Sequence, residues 1–205
     1  MKTLVIGAHL RRDDVEPVAA ALPCGELFLS GVPVDDDQPL GDRELLVRVA
    51  RTRAELLERA TFIAVRYGFA PRDANEALAK CAQHLERWRG ILEAHRDDVE
   101  MTVKVVAATS QPRPDRREFS SGADYLRALH AATESADVDP KFRDAVSQLG
   151  THRWIHRDGR SLECALLVPR DAVARVSEAG ENLKRNFADV PFLISGPWPL
   201  EVFAE

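Results

Sequence analysis

The chain has 205 residues, 45% hydrophobic and 30% charged, with a net charge of -5 at pH 7. That length suits one large domain or two small ones with real apolar cores, and the mildly acidic balance argues against a phosphate-backbone partner, which needs a concentrated basic field. No stretch approaches the roughly 20 apolar residues of a membrane span, and Met1-Lys2-Thr3-Leu4-Val5-Ile6 has too short an apolar run for a signal peptide.

Residues 2–8 and 26–32 read as strands, and the acidic, proline-containing stretch 33–42 reads as a loop. From Asp42 to Ala60, Leu46, Val49, Leu56, Leu57 and Ala60 recur at helical spacing, with Asp42 as N-cap. Residues 61–67 form a strand ending at Gly68. A helix starting near Pro71 carries Ala74, Leu78, Cys81, Leu85, Trp88, Leu92 and His95 on one stripe. Residues 99–105 alternate, with Val99, Met101, Val103 and Val105 on one face and Glu100, Thr102 and Lys104 on the other. Polar residues 108–121 read as a linker. A helix over about 121–134 turns Tyr125, Leu126 and Leu129 inward, and a short one after Asp139-Pro140 does so with Phe142, Val146 and Leu149. Strands 151–157 and 160–168 meet at Asp158-Gly159, a strong two-residue hairpin signal. A helix from Pro169 shows Val173, Val176, Ala179, Leu183 and Phe187, and a last strand, 190–195, leads into Gly196-Pro197-Trp198-Pro199.

The expected fold class is α+β with two domains, each with helices packed on one face of a mostly antiparallel sheet in a modified ferredoxin-like arrangement. Residues 1–107 give ββαβαβ, 108–121 the linker and 122–205 ααββαβ.

The residue patterns do not assemble a reaction centre. Cys24, Cys81 and Cys164 are widely spaced, form no CxxC pair and fit a reducing cytoplasm. His-Arg-Asp occurs at 95–97 and 156–158, without the glycine-rich loop, strand lysine or Asp-Phe-Gly of a kinase. Asp13-Asp14 and Asp35-Asp36-Asp37 sit in polar loops and read as solvated surface. His152, Trp154 and His156 share one strand face, so a ligand-binding or enzymatic module using a His152/His156 face, with Arg157 beside it, is the alternative reading; no third metal ligand of suitable spacing accompanies them. Catalytic, cofactor-binding and metal residues are therefore expected to be none.

Contacts with other proteins have better candidates. Arg66 and Lys104 lie on otherwise apolar strands, either as charges reaching solvent or as contacts for a partner. Trp198, held between two prolines, either locks the C-terminal segment inward, as the usual burial of tryptophan favours, or faces outward as an anchor. The candidate partner-contact residues are Arg66, Tyr67, Phe69, Lys104, Trp198 and Pro199.

Five segments, in order, are similar to motifs of one family. Val65-Arg66-Tyr67-Gly68-Phe69 resembles "LRFGTVF". Glu100 through Val105 resembles the "E…VKV" strand, and Gly122-Ala123-Asp124-Tyr125-Leu126 the "GRAYL" helix start. Leu167-Val168-Pro169-Arg170 resembles "YLVPR", and Gly196-Pro197-Trp198-Pro199 with Phe203 resembles the "TGPWPPYSF" ending, without its second consecutive proline and tyrosine. Together they resemble the gas vesicle GvpF/GvpL family. That resemblance implies a cytoplasmic, vesicle-associated accessory or minor shell protein that helps nucleate or assemble the vesicle wall. Its implied partners are the small hydrophobic shell subunit and other accessory proteins, with no nucleic acid, no cofactor and no catalysis.

Overall fold

The computed structural model describes residues 2–106, 115–134, 138–157 and 161–204. The chain divides into two units, Met1–Val99 with Trp198–Glu205, and Glu100–Pro197. Among the described residues there are eight strands: β1 (Lys2–His9), β2 (Ala20–Cys24), β3 (Leu27–Val34), β4 (Ile63–Ala64), β5 (Asp98–Val106), β6 (Thr151–Arg157), β7 (Ser161–Pro169) and β8 (Phe192–Trp198). Six α-helices accompany them: α1 (Arg43–Arg59), α2 (Ala74–Cys81), α3 (Leu85–Ala94), α4 (Gly122–Glu134), α5 (Pro140–Ser147) and α6 (Val173–Asn186). Two four-stranded sheets result, in the orders β2-β3-β1-β4 and β6-β7-β5-β8.

The first sheet is antiparallel throughout. The expected ββαβαβ order is corrected at both ends. Residues 20–24 add a strand that the sequence hid: Ala20 and Ala21 favour strands weakly, and Pro23 cannot donate to a ladder. Pro23 is tolerated because β2 is an edge strand, paired only to β3. The strand over 99–105, expected in this sheet, joins the second one instead, and the division between units falls inside it rather than in 108–121. Of that expected linker, residues 108–114 lie outside the described residues, and Arg116–Glu118 form a 3-10 turn. The expected strand 61–67 contracts to Ile63–Ala64.

Helix α1 starts where Asp42 accepts from the Leu45 amide at 2.9 Å and packs on β1 and β3. Its buried residues are Leu45, Val49, Leu56 and Leu57, whereas Leu46, expected inward, is exposed. The core stripe therefore runs one residue earlier than expected in the first turn. The long helix expected after Pro71 is two, α2 and α3, separated by a turn at residues 82–84 that no proline or glycine marks. Asp73 caps α2 by accepting from the Glu76 amide at 2.8 Å. Ala77 and Cys81 face inward, and Leu78 outward.

One polar group sits inside this core. His9 is fully buried and stacked on Phe62, with ring centroids 4.8 Å apart. The Ser30 hydroxyl donates to the Gly7 carbonyl at 3.4 Å, so its lone pair accepts from His9 Nε2–H at 2.9 Å. Nδ1 is left buried with no hydrogen-bond partner among the described residues. Burial lowers the His9 pKa to about 3. Gly7 leaves room for the same ring, since a β-carbon there would lie 2.5 Å from Phe62 Cδ2.

In the second unit β6 and β7 pair antiparallel, with Trp154 opposite Cys164, matching the two strands expected there; the Asp158-Gly159 turn lies outside the described residues. On β5, Val99, Met101, Val103 and Val105 are buried as expected, but Glu100, expected outward, is buried too. Its surroundings include β8: Gly196 lies so close that a β-carbon there would fall 3.0 Å from the Glu100 carbonyl oxygen. Gly196 also has φ +129, a backbone state that side chains disfavour, and its peptide bond to Pro197 is cis. Helix α4 begins with Ser121 Oγ accepting from the Asp124 amide at 3.1 Å. Tyr125 packs edge-on against Phe119, while Leu126, expected inward, is 61% exposed; the Leu129 side chain lies outside the described residues. Asp139 caps α5 with Pro140 in its first turn, and α6 buries Val176, Gly180 and Leu183. Phe142 of α5 is the centre of the unit, meeting Phe187 at 5.3 Å and Phe192 at 4.9 Å between ring centroids.

The Phe142→Ala variant is expected to lose about 3–5 kcal/mol of stability in urea titration, and Leu126→Ala less than about 0.5 kcal/mol. His9 gives a signed pH dependence. Its folded pKa lies below the ordinary value near 6.5, so its contribution is complete above that pH. It is lost as pH falls toward 3, because only the unfolded chain takes up the proton, at up to about 1.4 kcal/mol per pH unit. The check is the imidazole NMR signal of His9, which should stay that of the neutral ring from pH 7 to about 4.5.

Candidate functional site

The candidate residues of the first unit cluster at the two flanks of β4. That strand pairs with β1 through Gly7–Ala64 and Ala8–Ile63. Beyond it the chain stays along β1 irregularly: the Val65 amide donates to the Ile6 carbonyl at 3.3 Å and the Val5 amide to the Phe69 carbonyl at 2.8 Å. The residues between these anchors bow outward. Arg66 is exposed, Tyr67 is 36% exposed, and the turn is completed by Gly68 at φ +100, which a side chain would strain. The Tyr67 hydroxyl donates to the Leu40 carbonyl, fastening the loop before α1 to this turn. Leu40 is itself partly exposed. Phe69 is half-buried beneath Lys80, whose Nζ stands 5.8 Å from the ring centroid. Arg66, Tyr67 and Phe69 thus share one turn, two aromatic rings beside a cation.

The other flank is taken by the C-terminal segment. Leu200 forms a parallel bridge to Ile63; its amide donates to the Phe62 carbonyl and its carbonyl accepts from the Ala64 amide, both at 2.9 Å. Leu200, Val202 and Ala204 are buried, Pro199 is half-buried, and Trp198 is 48% exposed. The expected inward packing of Trp198 is therefore corrected: Leu200 and the residues after it occupy the buried positions, and the ring stays outside. β8 itself runs through Pro197 to Trp198 instead of stopping at residue 195. With Leu200 opposite Ile63, Trp198 lies toward the start of the paired segment and Arg66 beyond its end, so the two do not form one patch.

Two arginines that the sequence reading passed over hold this arrangement. Arg53 of α1 donates through Nη2 to the Val65 carbonyl at 2.8 Å. Its burial lowers its pKa, a shift opposed by the charge of Glu201 and by Tyr67. Arg87 of α3 donates through Nη2 to the Ala204 carbonyl at 2.8 Å. One signal was visible for Arg53: it falls on the apolar stripe of α1, four residues from both Val49 and Leu57, where a cation needs a partner. Nothing local marks Arg87.

Lys104 belongs to the second unit and pairs with Glu163 of β7 at 3.3 Å. The lysine of this cross-strand pair is exposed and the glutamate half-buried, and a pair reached by solvent on one side carries small energetic weight. On β6, His152 is exposed, while Trp154 donates to Ser147 Oγ at 3.4 Å and lies under Arg143, whose guanidinium carbon is 5.1 Å from the ring centroid. The His156 side chain lies outside the described residues. His95 ends α3, with Nδ1 2.9 Å from Asp98 Oδ2. Among the described residues no group of three or more His, Cys, Asp or Glu is placed to hold a metal ion, and no helix is long and apolar enough to cross a membrane.

No family model and no curated protein matches the chain. Solved structures do. The crystal structure of the gas vesicle protein GvpF from Anabaena sp. PCC7120 superimposes with a TM-score of 0.71 at 13% identity, covering 100% of this chain and 97% of that one. GvpF from Microcystis aeruginosa superimposes with a TM-score of 0.69 at 12% identity, covering 100% and 99%. Over its whole length, through both sheets and the returning C-terminal segment, this chain has the fold of the gas vesicle protein GvpF.

Proposed function

We propose that this chain is a member of the GvpF/GvpL family, an accessory or minor structural protein that assists nucleation or assembly of the gas vesicle shell through protein–protein contacts. The observation that carries the reading is the likeness to two GvpF structures along the full length of both chains. The five sequence motifs add to it in a way independent of the backbone, because they occur in order from Val65 to Phe203. A role in the cytoplasm at the vesicle belongs to the same proposal.

The contact residues fit such work. Tyr67 and Trp198 are partly exposed aromatic side chains fixed by backbone pairing on β4's two flanks, and rigid aromatics of this kind dominate binding energy at protein interfaces. Arg66, Phe69 and Pro199 extend those two surfaces. Lys104 already has Glu163 as a partner and contributes less.

Purified chain is expected to bind the gas vesicle shell protein or another vesicle accessory protein in a pulldown and in titration calorimetry. Trp198→Ala should weaken that binding about tenfold or more with Tm little changed, since the ring is half exposed. Lys104→Ala should weaken it by less than about threefold. Absence of affinity for every vesicle protein tested would remove the basis of the reading.

A further inference from the structure

Helix α1 carries an uncovered face. Leu46 and Val47, side by side near its start, are each 44% exposed, between Leu45 and Val49, which are buried. Arg43, Val47 and Arg51 fall four residues apart and make one row along the helix, and Glu44, Arg48 and Thr52 make the next. These two rows and Glu55 line an open groove. Three arginines outweigh two carboxylates there, in a chain whose net charge is -5. Among the described residues none of the three has an ion-pair partner; Arg48 is tied through Nη2 to the Pro33 carbonyl at 2.9 Å, and Arg43 and Arg51 are exposed. Leu40, also exposed, lies just before the helix, where its carbonyl holds the Tyr67 hydroxyl.

We propose that this face of α1 docks an amphipathic helix of a partner protein, with the partner's apolar stripe on Leu46 and Val47 and its carboxylates on Arg43 and Arg51. The inference rests on the proposed vesicle role only for the source of such a helix; the site itself stands on α1. Shape and charge select the occupant. A groove between two i, i+4 rows receives the ridge of another helix. Val47 has an arginine one turn away on each side, so the matching ridge sets an apolar residue between two acidic ones. Glu44 and Glu55 sit in the same groove and repel a uniformly anionic surface, which disfavours a layer of phospholipid headgroups and favours carboxylates set singly. A second copy docked by the same face about Val47 would set arginine against arginine in either helix direction, which disfavours a homodimer.

The test titrates the full chain against a fluorescein-labelled amphipathic helical peptide whose leucine stripe is rimmed by glutamates, and against the same peptide with lysine for each glutamate. The glutamate peptide should bind at least about tenfold more tightly, with the margin shrinking as salt is raised. Val47→Asp should weaken that binding about tenfold or more with Tm little changed, since the side chain is half exposed. Arg43→Glu combined with Arg51→Glu should reverse the preference toward the lysine peptide, and both positions are exposed, so the fold tolerates the change. Equal affinity for the two peptides, a preference that survives the double reversal, tighter binding to phosphatidylserine vesicles that the same variants abolish, or self-association of the chain that Val47→Asp abolishes would overturn the proposal. Failure to bind either peptide while vesicle proteins are still captured removes this site and leaves the proposed function standing. Binding of the glutamate peptide with no vesicle protein captured keeps the site and removes that function.

Discussion

The first unit depends on two backbone hydrogen bonds made by Leu200. Strand β4 is two residues long and is held on one side by β1. Its other side is a bare edge until the Leu200 amide and carbonyl pair with Phe62 and Ala64. Each bond contributes only about 0.5–1.5 kcal/mol net, but they place Leu200, Val202 and Ala204 in buried positions and bring the Ala204 carbonyl to Arg87. Residues distant in sequence thus complete one core. The chain leaves this unit on β5 and returns to it on β8, so the second unit is in effect an insertion within the first.

That closure also explains the character of the candidate surface. A short strand with irregular flanks can expose side chains that a long regular ladder would bury or alternate away. On one flank the chain bows out at Arg66, Tyr67 and Gly68 between two amide anchors on β1. On the other the buried slots are filled from Leu200 onward and leave Trp198 outside. Both exposed aromatics sit on main chain fixed by hydrogen bonding, so little freedom would be lost if a partner covered them.

Much of this was legible in the sequence where local chemistry decides. β6 and β7 followed from strong strand propensity between turn signals, α6 from an apolar stripe that the packing respects, and the cap Asp42 from its side-chain oxygen. The failures share a cause: periodicity gives the face of an element and not its neighbour. Residues 99–105 alternate clearly, yet nothing in them chooses between two sheets, and the choice falls to β7 and β8 far along the chain. Leu46, Leu78 and Leu126 fit a helical stripe as well as the residues that are buried beside them. At the candidate site, Arg66 and Tyr67 were visible as a cation and an aromatic ending a strand. Arg87 was not, because its acceptor is a main-chain carbonyl and leaves no trace in side-chain pattern. Trp198 was misplaced because large aromatics are usually covered, a tendency that the returning segment overrides.

The discontinuous first unit has a consequence for how the molecule is made. On a ribosome, β1 to α3 emerge early, but the residue that covers the open side of β4 is translated after all of Glu100–Pro197. The nascent first sheet must wait with one flank unprotected while an entire second unit is synthesised and free to fold. Of the two units, the one begun first is the one finished last.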